Sequence, residues 1–518
     1  MGRFLSCLLL VLIGISCHME VPEMTLDFSA ESDKGTVTFK NNSQGAESFV
    51  WDFGDGSPVS TETAPVHKYN SSNNYKVRLI AKGNGGTRGL EKTIPVNVDV
   101  ALIKGFDKVW EFSFGGSEED VMKAIVKTSD GGAIFVGRSR SAPNNGRADV
   151  RVIRINGNGQ MMWDKNFGGT GDDEGNCILE VSGGYLIGGS SNSGSGLGKD
   201  AGTYGDYDYW LIKIDGNGNK LWDKNYGGSS FDFMSSIMPS NDGGFLLGGS
   251  SSSMLGAGKV TVNPGGTNFW VVRIDANGNY KTDFGYGNGQ INYLTSMSKT
   301  TDNNILLIGY SDKKQYDAAA YGGVSDFWVV KVNQAGAKIA DYRFGGSNED
   351  KASTGTSEER NVVGGTSNSI NIVSDRPTNV PARGGKDFLV CRFDDSGAET
   401  WRRTYGGSGD DVLNNLIVLT GGKNLFMAGE SSSPVSGTKG APAHGALDGW
   451  VVKTDLSGNT LLDDSFGGTG TDRITCVTDL GGGSYLLAGE SDSAAGSGNK
   501  TAPARGGLDF WVIRIKEK

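Results

Sequence analysis

Histidine is scarce in this chain, with three residues among 518: His18, His67 and His444. Neither a His-dependent catalytic triad nor a histidine-rich zinc site can be assembled in the long repeated region, where His444 stands alone. Basic residues are also outnumbered, giving a formal net charge of -10. A polyanion would be repelled on average, so nucleic acid is excluded as an expected partner. Helix-forming runs are few and Gly is abundant, at 82 residues, which predicts an all-β protein.

Long apolar runs are missing apart from one at the amino terminus, from Phe4 to Ile15. Arg3 precedes it and small residues follow it before Cys17, so the pattern predicts an export signal over residues 1–17. The run is too short to anchor the mature protein in a membrane. Ser16-Cys17 resembles a bacterial lipobox, which implies that Cys17 becomes the lipid-bearing amino terminus. Ordinary signal cleavage is the alternative.

The remaining cysteines do not suggest a disulfide framework. Cys177, Cys391 and Cys476 form an odd set, and Cys177 and Cys476 occupy the same position in two copies of the repeat described below. We interpret them as small buried residues and predict neither disulfides nor a metal site.

A short aromatic and acidic segment marks a first domain. Phe49 to Ser57 reads FVWDFGDGS, and Val66-His67-Lys68-Tyr69 and an alternating segment, Tyr75 to Ile80, follow it. This resembles the PKD domain, an immunoglobulin-like sandwich, over residues 24–100. We expect Trp51 in the core, His67 to be a packed residue, and Asp52 and Asp55 to cap a turn. Metal ligation by the two aspartates is the alternative.

Residues 106–518 repeat one pattern seven times. The copies begin with an aromatic residue and Gly, at Phe114, Phe167, Tyr226, Phe284, Phe344, Tyr405 and Phe466. The spacings are 53, 59, 58, 60, 61 and 61 residues, which suits a four-stranded sheet with one long loop. In the third copy, alternation and turn residues predict strands over 233–238, 245–249 and 268–275, with a fourth ending at the next aromatic-Gly.

The two ends of the array are complementary. The seventh copy stops after its third strand, around Trp511, and the missing fourth strand precedes the first copy, around Trp110. We therefore predict a seven-bladed β-propeller whose N-terminal strand completes the last blade and closes the ring. Copy by copy, the pattern also resembles the SBBP-type β-propeller repeat of bacterial exported proteins. With the PKD resemblance, this implies a bacterial envelope of the Bacteroidota type.

An aspartate stands six residues after the start of six copies, and Gln290 replaces it in the fourth copy. These residues are Asp120, Asp173, Asp232, Asp350, Asp411 and Asp472. They fall where one blade crosses to the next, near the expected channel mouth. One hypothesis is a ring that binds calcium or sugar hydroxyls. The other is the same structural task in each blade, since a backbone-capping Asp would serve every crossing equally.

Catalysis requires two groups in unlike environments, which similar aspartates do not provide. Glu430 and Glu490, at the end of the second strand in the last two copies, are the carboxylates to test for an enzyme. The Asp-Gly-Asn-Gly-Asn turns look like calcium loops but lack further ligands, and a simple hairpin explains them. We therefore assign no catalytic residue, cofactor or metal, with calcium as the alternative.

Long loops between the second and third strands should lie at the same end as the blade crossings. Binding residues concentrate on such loops, and Tyr204 and Tyr207 are placed there to stack on sugars or peptides. The sequence thus predicts an exported, lipid-anchored outer-membrane protein that recognises a glycan or a surface protein without catalysis. A carbohydrate-active glycosidase or lyase and a structural subunit of an envelope complex are the alternatives.

Overall fold

The computed structural model describes residues 24–33, 35–55, 57, 59–69, 73–83, 86–96, 105–141, 143–256, 258–312, 324–356, 361–369 and 383–518. Every regular element in these ranges is a β-strand, and none of them contains a helix suited to crossing a bilayer. The predicted export signal, Cys17 and His18 lie outside the described residues. The chain divides into an N-terminal unit, residues 1–99, and a repeat unit, residues 100–518.

The N-terminal unit contains two three-stranded antiparallel sheets with one shared core. Its strands are β1 (Phe28–Asp33), β2 (Thr36–Asn41), β3 (Ser48–Asp52), β4 (Val66–Lys68), β5 (Asn73–Gly83) and β6 (Gly86–Val96). The sheet orders are β1-β2-β4 and β3-β5-β6. Trp51 is fully buried against Phe28 and Phe39, as expected, and its Nε1 donates to the Glu62 carbonyl at 3.0 Å. The unit is therefore a two-layer sandwich.

His67 and the nearby aspartates hold the turn of the N-terminal unit. The His67 ring stacks on Phe53 at 3.9 Å, and its Nε2 lies 2.7 Å from Asp55 Oδ2. Asp52 Oδ1 accepts the Gly54 N–H at 3.0 Å, and Gly54 has a φ of 73°. Burial raises the pKa of Asp55, but hydrogen bonds from His67 and Ser57 outweigh it and leave that pKa below its ordinary value. The packed His67 and the capping aspartates agree with the sequence interpretation.

The repeat unit contains seven four-stranded antiparallel sheets among its described residues, numbered here in chain order. Sheet 1 comprises β8 (Asp120–Lys127), β9 (Ala133–Ser139), β10 (Asp149–Ile155) and β11 (Met161–Phe167). Sheet 2 comprises β12 (Asp173–Val181), β13 (Gly184–Ser191), β14 (Asp208–Ile214) and β15 (Lys220–Tyr226). Sheet 3 comprises β16 (Asp232–Pro239), β17 (Phe245–Ser251), β18 (Asn268–Ile274) and β19 (Tyr280–Tyr286). Sheet 4 comprises β20 (Asn292–Lys299), β21 (Ile305–Asp312), β22 (Ser325–Val332) and β23 (Lys338–Phe344).

The remaining sheets follow the same plan, except that the last one borrows a strand. Sheet 5 comprises β24 (Asp350–Thr356), β25 (Asn361–Ser367), β26 (Asp387–Phe393) and β27 (Glu399–Tyr405). Sheet 6 comprises β28 (Asp411–Val418), β29 (Asn424–Ser431), β30 (Asp448–Asp455) and β31 (Thr460–Phe466). Sheet 7 comprises β32 (Asp472–Gly481), β33 (Ser484–Ser491), β34 (Asp509–Glu517) and β7 (Phe106–Phe114), in that spatial order. In β7, Trp110 pairs with Arg514, and Ser113 pairs with Trp511.

Strand positions in the third copy agree with the alternation in the sequence. The predicted strands 233–238, 245–249 and 268–275 correspond to β16, β17 and β18 within two residues at each end. Gly243, with a φ of 80°, permits the tight turn between β16 and β17. A bulge between Met234 and Ser236 interrupts β16, and the first strand of each of the other sheets has one at the equivalent place.

The start of the fourth copy was placed two residues too early in the sequence interpretation. Phe269 pairs with Tyr286, as Tyr209 pairs with Tyr226, so Tyr286 and not Phe284 ends the fourth strand of sheet 3. The residue that begins β20 is accordingly Asn292 and not Gln290. The segment contains both Phe-Gly and Tyr-Gly, and only the pairing register distinguishes them.

Adjacent sheets of the repeat unit share apolar cores. Each first strand contacts the first strand of the next sheet, from β8 through β12, β16, β20, β24 and β28 to β32, and β32 contacts β8. Phe510 of sheet 7 packs in one core with Met122 and Phe135 of sheet 1. Cys177, Cys391 and Cys476 are buried and free, as predicted.

Candidate functional site

The loops between second and third strands lie at the end of the sheets where the chain crosses from one sheet to the next. The Gly198 N–H donates to the Gly168 carbonyl at 3.0 Å, and the Thr438 N–H donates to the Gly406 carbonyl at 2.9 Å. We call this end the crossover end. It carries all the site residues that the sequence proposed in the repeat unit.

The six predicted aspartates, here called the crossover aspartates, fold back onto the crossing chain. Each has no exposed surface. In each, Oδ2 accepts a glycine N–H at 2.7 to 2.9 Å. The same oxygen accepts a serine Oγ–H at 2.6 to 2.9 Å. Such bonds favour the structural hypothesis, because a ligand at the surface cannot reach a fully buried carboxylate.

A second buried aspartate begins the third strand of most sheets. Asp387 Oδ2, for example, accepts the Arg383 N–H at 2.8 Å. Between Asp387 and the crossover aspartate Asp411 lies Gly406, where an added Cβ would overlap Asp387 Oδ1 and lie 2.7 Å from Asp411 Oδ2. The aromatic-Gly signature therefore marks a place where two carboxylates close in on one Cα, which only Gly permits.

Burial determines how these second aspartates ionise. It raises the pKa of Asp149, Asp208 and Asp387 to about 6 in each case. The neighbouring crossover aspartate adds a smaller upward effect, since like charges oppose ionisation.

Buried lysines stabilise the long loops. Lys199 is fully buried, and its Nζ donates to the carbonyls of Ser193 and Ala201 at 2.8 and 2.9 Å. Lys500 makes the same two bonds in sheet 7, to Ser493 and Ala502, at 2.7 and 2.8 Å. These lysines shape the loops from inside and present no charge to a ligand.

Metal binding receives no support from the described part of the chain, where no three His, Cys, Asp or Glu side chains are placed to hold an ion. The Asp-Gly-Asn-Gly-Asn turns are closed by their own hydrogen bonds. Asp215 Oδ1 accepts the Asn217 and Asn219 N–H groups at 2.8 and 2.9 Å, and Asp215 Oδ2 accepts Asn219 Nδ2–H at 2.9 Å. A hairpin turn accounts for the motif.

Three aromatic side chains form a row at the crossover end of sheets 2 and 3. This aromatic row consists of Tyr207, Phe231 and Phe233, with ring centroids 5.4 to 6.2 Å apart. Phe231 is 45% exposed and Phe233 is 38% exposed, although both flank the buried Asp232. Burial, followed by Asp172 and Glu174, raises the pKa of Tyr207, so its hydroxyl remains a neutral donor.

The aromatic surface continues into sheet 4. Tyr293 and Tyr310 lie 5.4 Å apart in adjacent strands, and burial raises the pKa of Tyr310 to about 12. Leu294 follows Tyr293 in the chain, and its N–H donates to Ser250 Oγ at 2.9 Å. Ser250 in turn pairs with Phe233. The tyrosine pair therefore lies beside the aromatic row.

Charged side chains occupy the equivalent positions elsewhere. Arg138 binds Glu119 at 3.0 Å and Glu174 at 3.2 Å across sheets 1 and 2. In ion pairs of this kind each charge is balanced by its partner, so few charged side chains remain free to bind a ligand. The residues that flank the crossover position are thus aromatic or aliphatic in sheets 3 and 4, and include at least one charged residue in each of the other sheets.

Glu430 and Glu490 are brought together, and both bind the same arginine. Arg473 Nε lies 2.6 Å from Glu430 Oε2, and Arg473 Nη1 lies 3.5 Å from Glu490 Oε1. Burial raises the pKa of both carboxyls, and Arg473 counteracts it in both. Arg473 therefore bridges the two carboxyls and pairs both of them with one cation.

Tyr204 and Tyr207 are placed in different surroundings. Tyr204 is 49% exposed and lines a cleft between sheets 2 and 3, whereas Tyr207 belongs to the aromatic row. The sequence interpretation missed Phe231, Phe233, Tyr293 and Tyr310. A signal was available, because the positions flanking the crossover residue are apolar in copies three and four and mostly charged in the others.

Comparison with known proteins identifies the N-terminal unit. Residues 20–98 match the family model of the PKD domain, so this part of the chain is a PKD domain. A solved structure of the PKD1 domain of Vibrio anguillarum Epp is 31% identical and covers 15% of this chain and 99% of that chain, with a TM-score of 0.14.

The chain as a whole has more distant likenesses. A curated relative, "Regulatory protein FlaEY" of Caulobacter vibrioides, is 24% identical over 425 residues, or 73% of this chain. The chain spans 43% of the length of that relative. A structural genomics protein of unknown function from Bacteroides thetaiotaomicron is 10% identical, covering 95% of this chain and 98% of that one, with a TM-score of 0.34.

Proposed function

We propose that the seven sheets of the repeat unit are the blades of a β-propeller of the SBBP type, closed by β7. Two observations support this: the first strands contact one another in a cyclic order, and β7 supplies the outer strand of sheet 7. Closure by an early strand protects the free edge of the last blade.

Glu111 provides a test of closure. It accepts Lys108 Nζ at 2.7 Å and Trp511 Nε1 at 2.9 Å, and also binds Thr501, joining β7 to the last sheet. Glu111→Ala should lower the free energy of unfolding by about 3 kcal/mol, because buried donors lose a charged acceptor. Hydrogen exchange should report the loss in distant sheet 3 as well, with exposed Glu118→Ala as control. A loss confined to sheet 7 would contradict a closed cooperative ring.

We propose further that the protein is exported and held at the bacterial outer membrane by a lipid on Cys17. The support is the sequence pattern of residues 1–17. Incorporation of labelled palmitate in the wild type, and its loss in Cys17→Ala, is the expected result. Equal labelling of both proteins would refute the anchor.

The function that the site supports best is recognition of a glycan or a surface protein, without catalysis, through the crossover end. The observation that carries this proposal is the aromatic row, because exposed aromatic side chains on a rigid scaffold are typical of binding surfaces. The pairing of Glu430 and Glu490 with one arginine favours recognition over hydrolysis, because neither carboxylate is left unpaired to act on a substrate.

Binding should depend on the aromatic row. We expect the double variant Phe231→Ser with Phe233→Ser to lose binding on glycan arrays and in capture of envelope proteins. The matched control is Met161→Ser with Met162→Ser in β11, which removes a pair of exposed apolar side chains elsewhere. Release of reducing ends that disappears in Glu490→Gln would instead establish an enzyme. A stoichiometric membrane partner retained by the row variant would establish a structural subunit.

A further inference from the structure

A cleft of about 360 Å³ lies between the outer strands of sheets 2 and 3. Its walls come from β15 and β19 and from the long loops that carry Tyr204 and Val260. This volume is at the lower end of the range for small-molecule sites, which matches one or two sugar residues rather than a folded partner.

Three tyrosines give the cleft its apolar surfaces. Tyr204 is 49% exposed and Tyr280 is 38% exposed, so both rings are open to solvent. Tyr226 is buried, and its hydroxyl donates to the Gly278 carbonyl at 2.6 Å, which ties the two sheets together beneath them. The cleft therefore has two accessible rings on a fixed base, as stacking on the C–H face of a pyranose requires.

One amide oxygen in the cleft lacks a partner. Asn225 Nδ2 donates to the Gly202 carbonyl at 2.6 Å and to Asp208 Oδ2 at 3.3 Å. These two acceptors fix the orientation of the amide, since the opposite orientation would turn an acceptor toward them. Asn225 Oδ1 is buried and accepts no hydrogen bond. Because this oxygen is buried, a ligand in the cleft does not reach it, and Asn225 contributes a fixed part of the wall rather than a hydrogen bond to the ligand.

Lys224 supplies a donor at the same place. Its Nζ bonds to Asn279 Oδ1 at 3.4 Å, a long contact, and among the described residues it has no acidic partner within ion-pair distance. The cleft thus offers a cationic donor beside two exposed rings.

Two wall residues differ from their counterparts in the other sheets. At the position of Tyr280, the fourth strands of sheets 2, 4 and 7 have Lys220, Lys338 and Lys108, each in an ion pair three residues along the strand. Tyr280 instead donates its hydroxyl to Asp283 Oδ1 at 3.2 Å. At the position of Tyr204, other copies have Asn145, Arg383, His444 and Arg505. A structural task common to all sheets does not explain either tyrosine.

We infer that this cleft binds a neutral pyranose residue of a glycan, an inference that rests on the recognition function proposed above. The rings of Tyr204 and Tyr280 contact its C–H faces, and Lys224 Nζ donates to one of its hydroxyls. A neutral sugar fits better than an acidic one, because Asp208 and Asp283 lie beside these groups and the net charge is -10.

The inference is tested with methyl β-D-glucopyranoside, methyl β-D-galactopyranoside, methyl α-D-mannopyranoside and methyl β-D-glucuronide, using saturation-transfer NMR on the full chain. We expect transfer to at least one neutral glycoside and weaker transfer to the glucuronide. Tyr280→Ala and Lys224→Met should each weaken binding by about tenfold or more, as loss of a stacking or charged contact does. Tyr280→Phe should retain binding, which excludes misfolding as the cause. Lys165→Met, at the equivalent position of sheet 1, should have no effect.

The possible outcomes distinguish failure of the sugar site from failure of the proposed recognition function. If no neutral glycoside receives saturation, or if transfer survives both Tyr280→Ala and Lys224→Met, the sugar site is refuted while recognition through the aromatic row stands. If transfer is confined to the glucuronide, the neutral specificity is refuted. If the full chain captures neither a glycan nor an envelope protein, the proposed function itself fails.

Discussion

The crossover end has a buried layer and an exposed layer, and residues of the two layers are immediate neighbours in the chain. Asp232 is fully buried and has a counterpart in five other sheets, whereas its chain neighbours Phe231 and Phe233 are exposed. The buried layer repeats because each crossing has the same backbone groups to satisfy. The exposed layer varies from sheet to sheet, and solvent-facing positions are freer to differ.

The contrast separates residues that build the scaffold from residues that can serve a ligand. A carboxylate that every crossing needs is explained by the scaffold, so its presence does not indicate a ligand-binding site. An aromatic residue found at one or two crossings has no such structural reason. Substitutions in each layer test this division.

The largest effect is expected at a crossover glycine. Gly406→Ala would force a Cβ against Asp387 and Asp411, so the free energy of unfolding should fall by about 3 kcal/mol. Gly216→Ala is the control, because nothing lies within 4 Å of the added atom. Urea denaturation measures both variants. Equal, small losses would mean that the buried layer is not the constraint that we describe.

A smaller effect concerns pH. Burial raises the pKa of Asp387 to about 6 from an ordinary value of 3.8, so the folded state holds this proton more tightly than the unfolded state. Its ionisation therefore costs stability progressively as the pH rises from about 4 to about 6, and the cost is full above that range.

The variant that tests this is Asp387→Asn, since Asn268 already occupies the equivalent position in sheet 3. Relative to wild type, its free energy of unfolding should gain about 2 kcal/mol between pH 4 and pH 7. Exposed Asp206→Asn is the control and should follow the wild-type pH profile. A parallel profile for Asp387→Asn would show that this carboxyl is ionised at little cost.

The smallest effect on stability should come from the exposed layer. Phe231→Ser with Phe233→Ser should change the free energy of unfolding by at most about 1 kcal/mol, because the rings are partly solvated. Met234→Ala in the same strand should cost about 3 kcal/mol, since Met234 is buried in the core. Thermal unfolding compares them. A loss from the double variant as large as that from Met234→Ala would assign the row to the scaffold.

Much of the strand pattern followed from the sequence. Alternation and turn residues located the strands of the third copy, and the Trp110 segment was assigned to the last sheet because it carries the fourth-strand motif that the seventh copy lacks. Local signals suffice for these features, since each strand carries its own periodicity. The start of the fourth copy was wrong, because Phe284 and Tyr286 are both followed by Gly and the choice depends on pairing with Phe269.

The candidate site was less accessible to sequence reasoning. Tyr207 was proposed from its loop, but its partners Phe231 and Phe233 lie on the far side of a sheet boundary. The bridging of Glu430 and Glu490 by Arg473 joins two sheets in the same way. Contacts between sheets depend on how the sheets lie relative to one another. The alternation of residues within one strand does not predict this.

The contact between Glu111 and Trp511 joins residues 400 positions apart. During synthesis, sheets 1 to 6 can each form from a contiguous stretch, but β7 has no strand to pair with until residues 509–517 have left the ribosome. Until then Met122 and Phe135 also lack the cover of Phe510. A chain that stalls before β34 would thus present an open strand edge and a bare apolar face, both of which promote aggregation, so chaperone dependence should persist until residues 509–517 have been synthesised.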